Sequence, residues 1–554
     1  MDPQLEKGTY SDDDDLSQHE IWDEKAYLIN ETPYAKEKAA SHHFLPRARQ
    51  WATYVYYQLL QHRLNKSSKS EQHLNQLLTA LGWLIRLPLF LIPSFASRTS
   101  QRYKITSTSW LDGLRGLACF IVFIYHYLLA YLPSARVGYD GSRDFGYFMQ
   151  LPVIRIVHSG PTMVTVFFII SGFALSFKSA SLLKNPTSSS ASSPSKKSTG
   201  EQVLSNIASS IWKRWLRLVM PCFAIYMLVA CLTFYGAYET VPYGEKGFLP
   251  GSAEGRPPRL WSLYAQVSAE LHQYFFFAVK VTVFKQPWGI ILTNPHLWTI
   301  PVEFQQSLYL FLILTGLSHL KRWVRVIIFL PAISIFGLWY GFWENSVFVF
   351  GAFLAEIHVT FLTQDTDDLP TYVSKHSNNR LVSILKTVIA IIIFAIGIFI
   401  GSYPEGHAVP ETVVGFNHLL KWTSPHCDRN RYWMSIGSMM LVSSMMFLPT
   451  IKNILCTRIL QYLGRISFAL YLVHGVMNRT IGYMMVYWAW TRNNIGVPGV
   501  PYTQHLENLR VTIVLLVFVV HVLITICVAD VLWRAADLPS VRFTKWLESK
   551  LVRA

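Results

Sequence analysis

The chain has 554 residues, of which 51% are hydrophobic and only 15% are charged, and its net charge is +16. Soluble proteins carry about 25% charged residues, so this composition excludes an ordinary soluble enzyme and indicates a protein that crosses a membrane several times. The basic residues stand beside apolar runs, where they mark the cytosolic ends of membrane spans, and they therefore do not indicate binding to nucleic acid.

The N-terminal residues 1–105 are mostly polar and include the acidic run DDDD, so we predict a cytosolic tail there. Residues 77–96 are the apolar exception, but they contain Arg86, Pro88 and Pro93. We predict that this segment forms an interfacial helix on the membrane surface, and an eleventh span is the alternative.

Ten segments of the remaining chain are long and apolar enough to cross a bilayer whose hydrocarbon core is about 30 Å thick. A segment inside the membrane must satisfy its own backbone hydrogen bonds, so all ten are expected to be helices. The predicted fold is therefore an all-α bundle of about ten transmembrane helices within residues 106–540, followed by a basic cytosolic C-terminal tail at 541–554. The predicted spans are 111–132, 161–178, 218–236, 298–318, 325–342, 346–363, 381–402, 434–450, 466–489 and 510–533.

The charges between the spans predict the topology. Basic clusters without acidic residues follow spans two, four and eight, whereas the segments after spans one and seven contain several acids. Because basic residues concentrate on the cytosolic side, both termini are expected in the cytosol. The Ser-rich segment 185–200 is then a cytosolic linker, in a multi-pass protein of either an endomembrane or the plasma membrane.

The first predicted span, LDGLRGLACFIVFIYHYLLAYL, carries Arg115 near its start and His126 in its middle. Each helical residue turns about 100° and rises about 1.5 Å, so these two side chains share one face and lie roughly 16 Å apart. The small residues between them leave room for another helix or a ligand. A cation at the cytosolic mouth attracts an anionic donor, and a deeper histidine can activate a hydroxyl group. The alternative is that Arg115 reaches to the interface and His126 bonds a neighbouring carbonyl group.

Five stretches resemble, in the same order, the motifs of the acyltransferase-3 family of integral-membrane acyltransferases. The resemblance covers about residues 106–548, and Phe468 stands where that family usually has tyrosine. The C-terminal stretch LWRAADLPSVRFTKWLE is similar to fungal members of the family. The five stretches are LDGLRGLACFIVFIYH, VFFIISGFALSF, IWKRWLRLVMP, LWTIPVEF and LGRISFALYLVH.

The resemblance implies transfer of an acyl group, most often acetyl, from cytosolic acyl-coenzyme A to a hydroxyl group of a carbohydrate, lipid or small metabolite. It makes Arg115 and His126 the essential pair, with His126 acting either as a general base or as the acyl acceptor. Acetyl-coenzyme A, or another acyl-coenzyme A, is then a co-substrate, and no permanently bound cofactor or metal is expected. The expected partners are the lipid bilayer, the acyl-coenzyme A and the hydroxyl-bearing acceptor.

Three basic residues precede Pro221 at the cytosolic start of the third span. Together with Arg115, they are candidates to bind the phosphate groups of coenzyme A. The alternative is that they anchor the span in the cytosolic interface. These three residues are Lys213, Arg214 and Arg217.

Glu303 lies in the fourth span, where an unpaired carboxylate is costly. We predict either that it orients the imidazole of His126 as a third catalytic residue, or that it pairs with an arginine such as Arg479. Glu356, in the sixth span, is expected to neutralise a basic residue at the donor entrance. Three further side chains are expected to line the pocket, although a serine in a span commonly bonds its own helix. These three are Ser171, Trp298 and His474.

A transporter for an anionic substrate is the alternative function, because arginine, histidine and glutamate inside a membrane also suit an ion path. Such transporters commonly have repeated halves, and the sequence shows no such repeat. A scaffold that keeps the fold without the chemistry is a second alternative, and the presence of both Arg115 and His126 argues against it.

Overall fold

The computed structural model describes residues 91, 93–94, 105–141, 147–184, 199–240, 256–281, 294–362, 380–405, 413–495 and 504–551. Every regular element within these residues is helical, which confirms the predicted all-α class. These residues belong to one compact unit. Nearly all of the predicted N-terminal tail, with its interfacial helix at 77–96, and the linker residues 185–198 lie outside the described residues.

We number the helices of the described residues in chain order. Helices α1 to α7 are Ser109–Tyr131, Gly160–Lys184, Thr199–Phe234, Leu263–Phe275, Thr299–Leu317, Leu330–Trp339 and Trp343–Phe361. Helices α8 to α14 are Arg380–Gly401, Arg429–Met445, Pro449–Leu455, Arg458–Met477, Tyr483–Arg492, Gln504–Leu532 and Leu538–Leu551. A 3₁₀ turn at Pro295–Trp298 leads into α5, and π-helical turns at Asn478–Gly482 and Trp533–Asp537 join α11 to α12 and α13 to α14.

Each of the ten predicted spans overlaps a helix. Seven helical segments of the described chain are long and apolar enough to cross a membrane, or eight if α9 and α10, which bend by 99° at their junction, form one span. The fifth and sixth predicted spans are not among them. The fifth matches the shorter apolar run Val324–Trp339, and the sixth matches α7, whose buried residues include Glu356 and His358. The chain is thus a multi-pass membrane protein, while the count of ten spans stays a prediction.

Glycines let α1 approach α10 and α11 closely. A Cβ atom at Gly113 would lie 1.8 Å from the carbonyl oxygen of Leu455, and a Cβ atom at Gly116 would lie 2.4 Å from the amide nitrogen of Gly464. Small residues allow this distance between the backbones of membrane helices. The predicted close approach of another helix to this face of α1 is therefore confirmed.

Helices α2 and α7 form a second close pair. A Cβ atom at Gly172 would lie 2.1 Å from the carbonyl oxygen of Phe348, and a Cβ atom at Gly351 would lie 2.2 Å from that of Ile169. Helix α2 also packs against α1 and starts at Gly160, beside the ring of Tyr125. It then runs back towards the end of the bundle at which α1 starts.

Acidic residues tie both ends of the described chain to the bundle. The buried carboxylate of Asp530, in α13, accepts hydrogen bonds from the Ser94 amide at 2.9 Å and from the Tyr462 hydroxyl at 3.0 Å. Glu548, in α14, pairs with Lys213 at 3.0 Å. Helix α14 crosses the predicted boundary at residue 540, so the described part of the predicted C-terminal tail is helical.

Candidate active site

Helix α11 holds both ends of the predicted pair on α1. The Arg115 guanidinium donates a hydrogen bond to the Gly464 carbonyl at 2.6 Å. The ring of His126 lies against the ring of His474, with 5.1 Å between their centroids. The earlier residue of α1, Arg115, contacts the earlier residue of α11, Gly464, and the later residue His126 contacts the later residue His474. The two helices therefore run parallel. Their parallel course lets α11 contact both side chains of the predicted pair.

Three histidine rings lie next to one another at the His126 end, and we call them the histidine row: His126, His474 and His296. The centroids of His474 and His296 are 4.8 Å apart. His474 Nδ1 lies 2.6 Å from the carbonyl oxygen of Tyr471, so it carries the hydrogen and donates it. His474 and His296 are buried, and His126 is half-buried. His474, which was expected to line the pocket, thus lies beside His126, and its role in a pocket stays a prediction.

The beginning of α5 lies inside the bundle, at the level of the histidine row. His296 stands in the 3₁₀ turn that precedes α5, where the Tyr471 hydroxyl donates to its backbone carbonyl. The hydroxyls of Tyr471 and Thr299 are 2.5 Å apart. Gly475 makes room for the imidazole, because a Cβ atom there would lie 2.3 Å from His296 Nδ1.

Glu303, one turn into α5, is bonded to two side chains of neighbouring helices. Its Oε1 atom accepts hydrogen bonds from Arg214 at 2.7 Å and from the Ser171 hydroxyl at 2.8 Å. Within the described residues its hydrogen-bond partners include neither His126 nor Arg479. Glu303 therefore pairs with an arginine, as one prediction held, but that arginine is Arg214. Ser171 bonds across to α5 and not to its own helix.

A charged cluster surrounds Arg115 at the other end of the pair. The charges that act on its guanidinium are those of Asp112, Arg217, Asp537 and Glu303. Arg214 joins the cluster through Glu303 and Arg217, and Arg217 is exposed. Two of the three predicted phosphate-binding residues on α3 thus lie in this charged cluster.

Lys213 and Trp298 have their contacts outside the charged cluster. Lys213 pairs with Glu548 of α14, and the carboxylate of Glu548 also accepts a hydrogen bond from Ser209. The ring of Trp298 lies 5.6 Å from the guanidinium carbon of Arg431, in α9. Lys213 is thus engaged by the C-terminal helix, and Trp298 faces the end of the bundle at which α1 ends.

The expectation that Glu356 neutralises a basic residue is confirmed. Its carboxylate pairs with Arg325 at 2.8 Å and with Arg322 at 3.3 Å. Both arginines belong to the basic cluster after the fourth predicted span. That this cluster forms a donor entrance stays a prediction.

The sequence interpretation did not name His296, Tyr471 or Arg431 as site residues. His296 directly precedes the stretch LWTIPVEF, and Tyr471 lies inside the stretch LGRISFALYLVH. Their positions at and within these motifs could therefore have identified both residues from the sequence. Arg431 had none, because it belongs to a polar segment outside the five stretches.

Comparisons with known proteins place the chain among acyltransferases. An O-acetyltransferase of Phomopsis amygdali, PaAT-1, is 29% identical over 473 residues, which cover 83% of this chain and 88% of that protein. Acyltransferase R4 of a Phoma species is 28% identical over 426 residues, covering 70% and 86%. Acyltransferase clz18 of Cochliobolus lunatus is 26% identical over 419 residues, covering 70% and 86%.

No solved structure matches the chain at a significant level.

The family model described as the acyltransferase domain, acyltransferase-3, matches residues 108–534. That range contains the histidine row, the charged cluster and the helices that hold them. The chain therefore belongs to the acyltransferase-3 family and is a membrane acyltransferase.

Proposed function

We propose that this acyltransferase moves an acetyl group from acetyl-coenzyme A, which binds from the cytosol, to a hydroxyl group of an acceptor. The observation that carries the proposal is the placement of Arg115 and His126 on one face of α1, with a charged cluster at one end and the histidine row at the other. The name of the relative PaAT-1, an O-acetyltransferase, supports the choice of acetyl and of a hydroxyl acceptor.

The charged cluster is the proposed site for the phosphate groups of the donor. Arg115, Arg214 and Arg217 supply guanidinium groups, which bind phosphate oxygens through paired N–H donors. Arg217 is exposed and is the first of the three that an approaching donor would meet. A phosphate held there leaves the thioester end free to extend along α1 towards His126.

His126 is the proposed general base. It removes the proton of the acceptor hydroxyl while the hydroxyl oxygen attacks the carbonyl carbon of the thioester. The carbon–sulfur bond then breaks, and the sulfur takes up the proton from His126, so that free coenzyme A leaves as a thiol. His474 packs against His126, and its bond to the Tyr471 carbonyl fixes its own tautomer and orientation.

The test is release of free coenzyme A from acetyl-coenzyme A by the purified full-length protein, in the presence of a panel of hydroxylated acceptors. We expect His126→Ala to lower acceptor-dependent release at least about 100-fold, the usual contribution of a positioned general base. His418→Ala, which changes an exposed histidine outside the site, should leave the rate unchanged. Both variants need a thermal midpoint equal to that of the native protein.

Two outcomes contradict the proposal in different ways. Equal activity of native protein and His126→Ala makes His126 structural. Silence of the native protein with several acyl donors and acceptors favours the transporter alternative. The same assay separates the two chemical routes, because an acyl-histidine intermediate releases one equivalent of coenzyme A before any acceptor is added.

A further inference from the structure

A cavity of about 990 Å³ lies at the end of the bundle where α1 ends and α2 begins. Residues near the starts of α2, α7 and α9 line it, together with residues that follow α1 and α8. Its lining includes six charged side chains, three of each sign. Because these charges sum to zero, the lining does not repel a ligand that carries a single charge. The six charged residues are Arg136, Glu344, Glu405, Asp428, Arg429 and Arg431.

The cavity adjoins the histidine row on two sides. Glu405, in its lining, accepts a hydrogen bond from the Tyr125 hydroxyl at 2.6 Å, and the ring of Tyr125 lies 5.3 Å from that of His126. On the other side, Arg431 contacts Trp298, which follows His296 by two residues in the same 3₁₀ turn. The cavity is therefore linked to the histidine row through the side chains of Tyr125 and Trp298, while His126 itself is not among the lining residues.

Among the described residues, Arg431 is held by aromatic rings and not by an acidic side chain. Its guanidinium carbon lies 4.7 Å from the ring of Trp343 and 5.6 Å from that of Trp298, which are cation–π distances. In the described part of the chain its side chain makes no hydrogen bond or ion pair, and its Nη1 atom is buried. A buried N–H group without an acceptor is costly, and a guanidinium prefers the two oxygens of a carboxylate.

Glu405 has an acceptor atom without a donor, the complement of the unmet donor on Arg431. Its Oε2 atom receives the Tyr125 hydroxyl and lies 3.8 Å from Arg136, but its Oε1 atom is buried and has no hydrogen-bond partner among the described residues. A carboxylate oxygen accepts hydrogen bonds only, so the missing partner is a donor such as a hydroxyl group. The cavity thus has one unmet donor and one unmet acceptor in its lining residues.

We propose that this cavity binds the acceptor, and that the acceptor is a hydroxylated carboxylic acid. Its carboxylate binds Arg431, and one of its hydroxyl groups donates to Glu405, which leaves another hydroxyl near His126. The assignment of this molecule as acceptor rests on the proposed function, whereas its binding can be measured without any acyl donor.

The test compares D-glucuronate and D-glucose as probes of the purified full-length protein without acetyl-coenzyme A, since these sugars differ only at C6, which is a carboxylate in the first and a hydroxymethyl group in the second. We expect glucuronate to bind about tenfold more tightly than glucose, because a hydrogen bond to a charged group is the stronger kind. Arg431→Gln should abolish this preference, and Arg431→Lys, which keeps the charge, should retain part of it. Arg492→Gln is the matched control, since Arg492 also stacks on a tryptophan, Trp488, but is exposed and does not line the cavity.

Equal binding of the two sugars, no binding of glucuronate, or a preference that survives in Arg431→Gln overturns the assignment of the cavity. These results do not depend on catalysis. A protein that binds glucuronate through Arg431 but releases no coenzyme A keeps the binding site and contradicts the proposed function alone.

Discussion

Arg214 and Glu303 hold each other inside the bundle. Arg214 donates to Glu303 Oε1 at 2.7 Å through one nitrogen and to the Ser307 hydroxyl at 2.5 Å through another. Their side chains are 16% and 24% exposed, so water would replace a lost partner poorly. The pair therefore fixes the position of Arg214 within the charged cluster, and Ser171 fixes the carboxylate from a third helix.

We expect Glu303→Gln to raise the KM for acetyl-coenzyme A about fivefold, because the amide keeps an oxygen for Ser171 but loses the charge that holds Arg214. The turnover rate with saturating donor should fall far less than with His126→Ala, since Glu303 has no bond to His126. Steady-state kinetics with varied donor measure both. Glu548→Gln, which breaks the more exposed pair with Lys213, is the control and should leave KM nearly unchanged. A shifted pH–rate profile in Glu303→Gln would instead indicate that Glu303 acts on His126.

At the level of the helices, one turn of α2 serves two interfaces. Ser171 faces α5 and bonds Glu303, while the next residue, Gly172, packs against the backbone of α7. Phe173 is buried in the core beside them. The Ser-Gly-Phe part of the stretch VFFIISGFALSF thus combines a polar contact to the site with a close approach of α2 to α7.

We expect Gly172→Ala to destabilise the protein by about 1–3 kcal/mol, the usual cost of overpacking. Its Cβ atom would lie 2.1 Å from the Phe348 carbonyl oxygen, so α2 and α7 must move apart. Gly316→Ala, in α5, has open space at the same position and should stabilise its helix by about 1 kcal/mol. Thermal midpoints in one detergent compare the two variants. Equal midpoints would contradict the close packing of α2 on α7.

The sequence could predict those features of the helices that depend only on the geometry of a single helix. Arg115 and His126 share a face because the turn of a helix depends on the spacing of its own residues. The partner of Glu303 could not be predicted in this way, because it depends on which helix lies beside α5. His296 and Arg431 were missed for the same reason, since each gains its surroundings from helices far away in the sequence.

On the scale of the whole molecule, the described residues between α1 and α2, at 132–141 and 147–159, close the cavity end of the bundle. Arg155, which is buried, donates hydrogen bonds to the carbonyl oxygens of Ser402 at 3.2 Å and of Ala135 at 3.0 Å. These bonds tie the segment to the residues that follow α8 and α1. Burial lowers the pKa of Arg155 to about 10, so it remains charged at neutral pH and the tie persists.

We expect His158 to make this closure sensitive to pH. It is buried in the same 3₁₀ turn as Arg155, and its Nε2 atom lies 2.9 Å from the Met149 carbonyl oxygen, to which it donates. Burial, with a smaller effect of the Arg155 charge, lowers its pKa from 6.5 to about 4. In the unfolded chain His158 is therefore protonated below about pH 6.5, whereas in the folded chain it is protonated only below about pH 4. Its contribution to stability is full above pH 6.5 and is lost as the pH falls towards 4.

The expected loss between pH 7 and pH 5 is about 2 kcal/mol for this one group, since each pKa unit corresponds to about 1.4 kcal/mol. We expect His158→Gln, whose amide can still donate to Met149, to lose less thermal stability than the native protein over this pH range. Thermal midpoints at both pH values measure the difference, and His418→Gln, at an exposed position, should behave like the native protein. Parallel losses in all three proteins would show that His158 takes up its proton in the folded state, and that the closure of the cavity end does not depend on a neutral imidazole.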